Sequence, residues 1–287
     1  MTITTGFLLG KFLPPHRGHQ YLIDFARHHV DRLSVLVCTI AREPIPGVLR
    51  YRWMCEAFPG VDVIHHTDEI PQAPDEHPEF WQIWQASIRR HVPWRIDCVF
   101  GSEDYGWRLA EMLGAQYVPV DHRRINVPVS GRAIRQDPMR HWDDLLPPVR
   151  PYYVRRVCIL GPAADDLAQR LVAAFRTVCV HDYGRDLRGD AGNSGGLAQG
   201  QAAAAMALAR QANRVLICAA AAPAAGLSCD LYLLPEHGSH VQLDPALANT
   251  GRSMLRLVGD SEQRFRQAYD AVQRLIEAPA SGSVSAA

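Results

Sequence analysis

The feature that most restricts how this chain can fold is a repeated alternation. Short apolar runs at Thr5 to Leu9, Leu33 to Cys38, Val61 to Ile64, Ile96 to Phe100 and Gln116 to Val120 are separated by stretches of helical spacing. A continuous apolar run marks a strand covered on both faces, as strands of a parallel sheet are. His19 to Val30, Arg50 to Phe58, Glu79 to His91 and Asp104 to Leu113 read as the intervening helices. Alternation of this kind requires a parallel sheet with right-handed crossovers. Ligands of such sheets sit beyond the carboxyl ends of the strands, near the point where the strand order reverses.

Length and charge bound the function. A chain of 287 residues can hold two domains with cores of their own. Its formal net charge is zero, so no bulk field recruits nucleic acid or an anionic membrane. Seven cysteines are scattered without a C-x-x-C pair, which points away from a disulfide framework or a cysteine metal site. Met1 to Leu9 lacks the basic region and long apolar core of a signal peptide, and no apolar run is long enough to span a bilayer. These features together predict a cytoplasmic protein.

The first strand runs into Gly10-Lys11-Phe12-Leu13-Pro14-Pro15-His16-Arg17-Gly18-His19. Pro14 and Pro15 stiffen the turn and keep helix from starting before the histidines. Gly10 and Gly18 are expected to let backbone approach a ligand closely. The helix opening near Gly18 offers unpaired N–H groups and a positive dipole end, a seat for phosphate. Lys11 is the only lysine in the sequence, which points to a use for a compact, rotatable ammonium. A second motif, Val129-Ser130-Gly131-Arg132-Ala133-Ile134-Arg135, reads as a helix capped by Ser130, with Arg135 able to reach the same anion.

H-x-G-H after a strand and a Gly-Lys-Phe-x-Pro turn resembles the signature of the nucleotidylyltransferase superfamily. With the segments that follow, it is similar to the NadR family, which joins a nicotinamide-nucleotide adenylyltransferase domain to a ribosylnicotinamide kinase domain. The second motif is close to that family's I-S-[GS]-T-x-I-R, with Arg132 standing where threonine is expected. Gly101-Ser102-Glu103 resembles the segment contacting the adenosine side, and Asp121 with Arg124 matches a D-x-x-R. Arg50 and Trp53 match an R-x-x-W helix. Trp81 and Trp84 fall where the family carries G-W-x-x-W, with Phe80 in place of the glycine.

The resemblance implies an α/β chain. A Rossmann-like nucleotidylyltransferase domain with a parallel sheet spans 1–149, a degenerate P-loop-kinase-like α/β domain spans 150–278, and a flexible tail covers 279–287. It implies transfer of AMP from ATP to nicotinamide mononucleotide, with Mg2+ carried by ATP and no metal-binding set of protein side chains. His16, His19, Lys11 and Arg135 are the implied catalytic residues. Gly10, Phe12, Gly18, Ser102, Asp121, Arg124, Ser130 and Arg132 are the implied ATP site. Trp84, Trp81 and Arg50 are the implied nicotinamide-nucleotide site, with Trp84 chosen for the ring.

The second half keeps strands and loses polar parts. After the linker Pro147 to Pro151, Val157 to Pro162 reads as the opening strand of a P-loop domain. The family's G-x-E-S-x-G-K-S loop should follow, but Ala163-Ala164-Asp165-Asp166 stands there, without lysine or hydroxyl for a phosphate cradle. Asp182 to Leu187 retains much of an E-Y-G-R-D segment. The strand Arg214 to Cys218, which should end in Asp-Thr-Asp, continues as Ala219 to Ala222. Leu197 to Arg210 reads as an Ala-rich helix, Ser261 to Ile276 as an amphipathic one, and Ala191 to Gly196 as a loose stretch. This half is expected to be a scaffold without kinase activity, one that braces the first half or assembles subunits into a homo-oligomer.

Two other functions fit the same residues. One is a non-catalytic nucleotide sensor; the other is adenylyl or cytidylyl transfer to a different acceptor, since H-x-G-H fixes the nucleotide end only. Some NadR relatives also repress transcription through an N-terminal helix-turn-helix, for which a first strand opening at Thr5 leaves no counterpart. The choice of nicotinamide over nicotinate mononucleotide is left open.

Overall fold

The computed structural model describes residues 3–161, 164–182, 194–220, 228–236 and 253–278. Backbone contacts divide the chain into two compact units, Met1–Val149 and Arg150–Ala287. Each unit carries one five-stranded, all-parallel sheet.

The first unit runs β1 (Thr5–Gly10), α1 (Arg17–His29), β2 (Arg32–Cys38), α2 (Gly47–Ala57), β3 (Asp62–His66), α3 (Phe80–His91), β4 (Cys98–Gly101), α4 (Tyr105–Leu113), β5 (Gln116–Pro119) and α5 (Gly131–Gln136). Its strand order is β3-β2-β1-β4-β5, with Gly10 at the end of β1 in register with Val37 of β2. This is the Rossmann-like arrangement. The chain leaves β1 toward one neighbour and returns at β4 beside the other, so the loops after β1 and β4 part and open a crevice. One core packs Phe7, Leu36 and Val99 of the sheet against Trp84 and Ile88 of α3 and Leu109 and Leu113 of α4, all nearly inaccessible. α2 starts at Gly47, earlier than the Arg50 that the apolar pattern predicts. Pro46 stands at its N-cap in a non-helical conformation (φ −51°, ψ 134°), and its carbonyl accepts the Leu49 N–H at 3.1 Å to start the helix one turn early.

The second unit runs α6 (Arg150–Tyr153), β6 (Arg155–Leu160), α7 (Ala164–Phe175), β7 (Val178–Val180), α8 (Ser194–Ala209), β8 (Val215–Ala220), β9 (Leu231–Pro235), β10 (Ser253–Leu257) and α9 (Ser261–Glu277). Its order is β10-β9-β6-β8-β7, again with the first strand in the middle. Val157, Ile159, Ile217 and Leu233 of the strands pack against Leu167 and Leu171 of α7 and Ala268 and Val272 of α9. Asp260 caps α9 through a reciprocal pair with Gln263, whose N–H donates to Asp260 Oδ1 at 2.8 Å. α8 opens at Ser194, inside the stretch expected to be loose. Most of the E-Y-G-R-D-like segment, Ala221 and Ala222, and the tail 279–287 lie outside the described residues. No helix among the described residues is long and apolar enough to cross a membrane.

Candidate active site

The two histidines of the first turn, His16 buried and His19 half-buried, are parts of a helix cap. The Gly18 N–H donates to His16 Nδ1 at 3.1 Å, and the His16 N–H donates to His19 Nδ1 at 3.3 Å. This is a capping box at the start of α1, with imidazoles in the usual places of a hydroxyl and a carboxylate. The rings lie 3.8 Å apart at 31°. Because both Nδ1 atoms accept, the neutral rings carry their protons on Nε2, which leaves two N–H donors for a ligand. Burial pushes His16 down to about 4, Asp144 opposing, and holds His19 well below the ordinary value, where the neighbouring His16 adds to the effect. At neutral pH the pair therefore donates hydrogen bonds without carrying charge.

Phe12 fixes the turn on the other side. Its backbone is left-handed (φ 46°), a conformation that costs a residue with a Cβ roughly 1 kcal/mol or more. Its ring is buried and meets the His19 ring edge-on at 4.8 Å. A Cβ on Gly10 would approach that phenyl ring to 3.2 Å, and one on Gly18 would approach the His16 ring to 3.0 Å. Both glycines therefore make room for protein rings.

The second motif docks on this turn. Ser130 Oγ accepts the Ala133 N–H at 3.2 Å, the cap that the sequence predicts. Arg135 Nη1 donates to the Leu13 carbonyl. A Cβ on Gly131 would stand 2.5 Å from that same carbonyl oxygen, so only glycine allows α5 to lie so close to the turn. Nothing local in the sequence marks this contact, because its partners are more than a hundred positions apart.

A cavity of about 300 Å3 opens in the crevice between the ends of β1 and β4. It brings together Lys11, Phe12, His16, Gly18, His19, Ser102, Asp121, Arg124, Ser130, Arg132 and Arg135. Gly10 faces a different space. Two of the lining groups are engaged otherwise than expected. The Asp121 carboxylate accepts the N–H groups of Ile125, Asn126 and Val127 at 2.8–3.1 Å and so shapes its own loop. Arg124 Nη2 donates to Glu103 Oε1 at 2.6 Å across the cavity's rim. Arg132 is exposed at the same rim.

A second cavity of about 220 Å3 has apolar walls that include Cys38, Phe80, Trp81, Trp84, Tyr105 and Leu109, with Gly10 and Lys11 beside them. Lys11 lines both cavities. Trp84 is 8% exposed; its Nε1–H donates to the Pro71 carbonyl at 2.8 Å, and its ring lies nearly parallel to His66 at 5.5 Å. Trp81 is the less buried of the two indoles. Behind Trp84, the ligating atoms of His66, Asp68 and His91 lie within 4.8 Å of one another. His66 and Asp68 are joined through Ser87, with 2.7 Å from His66 Nε2 to Ser87 Oγ and 2.6 Å from Ser87 Oγ to Asp68 Oδ2. Arg90 donates to the same carboxylate oxygen at 2.5 Å. Here the group braces the indole.

Arg50 lies apart from both cavities. Expected to touch the nicotinamide nucleotide, it is completely buried. Its guanidinium donates to the carbonyls of Ile45 (3.1 Å), Lys11 (2.5 Å) and Cys38 (3.3 Å) and to the Glu43 carboxylate. No face of it is left for a ligand. No sequence pattern marks Glu43, which pairs with Arg50 and also lies 3.1 Å from Lys11 Nζ.

The chain matches no family model. It is 29% identical over 204 residues to the trifunctional NAD biosynthesis/regulator protein NadR of Escherichia coli, and 28% identical over 201 residues to that of Salmonella typhimurium. These matches cover 64% and 63% of the chain and 49% of each relative, so the chain spans about half the length of the curated relatives it matches. Two solved structures share the fold. A NadR protein in complex with NR has a TM-score of 0.75 at 18% identity, covering 94% of this chain and 95% of that one. A NadR protein in complex with NAD and AMP-PNP has a TM-score of 0.74 at 17% identity, covering 99% of both.

Proposed function

We propose that this chain, which resembles the NadR family in sequence and in fold, is a nicotinamide-nucleotide adenylyltransferase: its first unit transfers AMP from ATP to the phosphate of nicotinamide mononucleotide, giving NAD and pyrophosphate. The observation that carries this reading is the junction at Lys11. One ammonium borders both a polar cavity with two imidazoles and several arginines and an apolar cavity walled by indoles. The first suits a triphosphate, the second a flat pyridine ring, and the reacting phosphates would meet between them. The names of the relatives, NAD biosynthesis, and the NR, NAD and AMP-PNP held by the two solved structures support the same assignment.

The substrate phosphate is already an anion, so the attack on the α-phosphorus needs no general base. The protein has to align the two phosphates and stabilise charge on the pentavalent transition state. In this proposal the Nε2–H groups of His16 and His19 donate to the α- and β-phosphate oxygens. They are fixed in place by the helix cap, so little reorganisation accompanies reaction. Lys11, Arg135 and Arg132 neutralise the triphosphate and the departing pyrophosphate. Mg2+ enters with ATP as part of the substrate. The carboxylates nearest the cavity are engaged, Asp121 with backbone and Glu103 with Arg124, and do not make an ion cage.

In this proposal the second unit does not phosphorylate a riboside, and its described residues after β6 and at the end of β8 are the reason. After β6 and Gly161, α7 opens with Ala164, Asp165 and Asp166, and β8 ends in Ala219 and Ala220. Acidic side chains at a nucleotide loop repel triphosphate, and alanine holds no metal.

The test is a coupled assay on the purified protein with ATP and nicotinamide mononucleotide, run beside nicotinate mononucleotide and nicotinamide riboside. NAD formation without riboside phosphorylation is the expected result. Nucleotide binding without turnover would replace the reading with that of a sensor, and riboside phosphorylation would overturn the inactive second unit.

A further inference from the structure

Glu43 lies in the loop before α2, among residues to which no role has been given. Its side chain is 7% exposed, and carboxylates are rarely buried so far unless they are paired. Two cations share it. Lys11 Nζ lies 3.1 Å from one oxygen, while the other accepts from Arg50 Nη2 and from the Ile40 N–H at 3.2 Å. Arg50 then turns back on Lys11, donating from Nη1 to its carbonyl at 2.5 Å. Lys11 is thus engaged at both ends, its carbonyl by a hydrogen bond from Arg50 and its ammonium by an ion pair with Glu43.

The arrangement answers a physical difficulty. A lysine side chain has up to roughly 2 kcal/mol of rotamer entropy to lose, and Lys11 is half-exposed, so without a tether its ammonium would sample much of the space around the two cavities. A buried, doubly bonded carboxylate is a rigid anchor, and it fixes the ammonium during folding instead of during reaction. Glu43 also offsets part of the attraction between that ammonium and a triphosphate, so removing its charge does not weaken ATP binding.

We infer that Glu43 is a positioning residue for the adenylyl transfer. Resting on the function proposed above, it holds the Lys11 ammonium at the junction of the two cavities, where the α-phosphate meets its acceptor. Glu43→Gln keeps the shape and removes the charge. It lowers kcat on the order of tenfold to a hundredfold while KM for ATP stays the same or falls. Glu43→Asp keeps an anion for Arg50, and so the fold, but shortens the arm; it lowers kcat by a smaller factor, about fivefold. In a Lys11→Ala background, Glu43→Gln changes kcat by less than about twofold, because the group it acts through is gone.

Lys11 being the only lysine allows a readout without turnover. Reductive methylation with isotope-labelled formaldehyde places one labelled ε-ammonium in the protein besides the N-terminus. In Glu43→Gln its NMR signal is expected to shift and narrow as the tether is lost. An unchanged signal, or wild-type kcat in both the Gln and Asp variants of an active enzyme, overturns the inference. A wild-type protein that makes no NAD overturns the proposed function instead, so the two failures are distinct.

Discussion

The two units of this chain share an architecture and differ in what their strand ends carry. In each, five parallel strands place the first strand in the middle, between buried strands that lead the chain out at the same edge of the sheet. In the first unit that edge gathers two imidazoles, one ammonium, several guanidiniums and a pair of indoles around two adjoining cavities. In the second, the described edge carries Gly161, then Asp165 and Asp166 at the start of α7, with Ala219 and Ala220 ending β8. The sheet depends on apolar strands and covering helices; phosphate chemistry depends on a few polar side chains in the loops. One can be lost while the other is kept.

The comparison is sharpest in how each unit holds its charges. Arg50 in the first is fully buried with Glu43, whereas Arg170 in the second is 31% exposed and meets Glu262 at the surface. Arg50→Met removes the buried cation of the pair and leaves Glu43 only Lys11 and the Ile40 N–H. It is expected to cost about 3–5 kcal/mol in urea denaturation followed by a signal of the first unit. Arg170→Met should barely move the transition of the second. Equal, small shifts would break the comparison.

Next in size is the imidazole pair. His16→Ala is expected to lower kcat for NAD formation on the order of a hundredfold to a thousandfold, with KM for ATP changed less than about threefold. His16→Asn, which retains a capping acceptor for α1, separates this loss from simple destabilisation of the helix. Matching losses in kcat and affinity would contradict the assigned role.

Acid gives a third test. His16 titrates near 6.5 when unfolded and at about 4 when folded, so between those values the unfolded chain binds more protons. Its contribution is fully present above about pH 6.5 and is lost as pH falls toward 4, on the order of 3 kcal/mol for this residue alone. Stability of the first unit measured across that window should fall on the acid side in wild type and fall less in His16→Asn. The smallest expected effect is in the second unit. Replacing Asp165 and Asp166 together with asparagine should leave NAD formation unchanged and bring no riboside phosphorylation, since lysine and hydroxyl are still missing.

The fold was legible because its determinants are local. The apolar runs at Leu33 to Cys38 and Ile96 to Phe100 lie on β2 and β4 with ends shifted by one or two residues, and the Ser130 cap needed only its own next three positions. What escaped was long-range. Arg50 looked available for a ligand because nothing in sequence tells that the carbonyls of Lys11 and Cys38 and the acid of Glu43 surround it. Glu43 itself sits in a proline-flanked loop without periodicity. Gly131 matters because the Leu13 carbonyl lies against it, and Gly10 because the Phe12 ring folds back over it. Each of these depends on how the turn after β1 closes, which no spacing rule encodes.

Label tracing shows which phosphorus of ATP the acceptor attacks. ATP labelled at the α- or the γ-phosphorus would be incubated with nicotinamide mononucleotide and the wild-type chain, and the products separated. Adenylyl transfer places α-label in the dinucleotide and γ-label in pyrophosphate. The γ-label appearing in an organic product, or α-label that never leaves ATP, would contradict it.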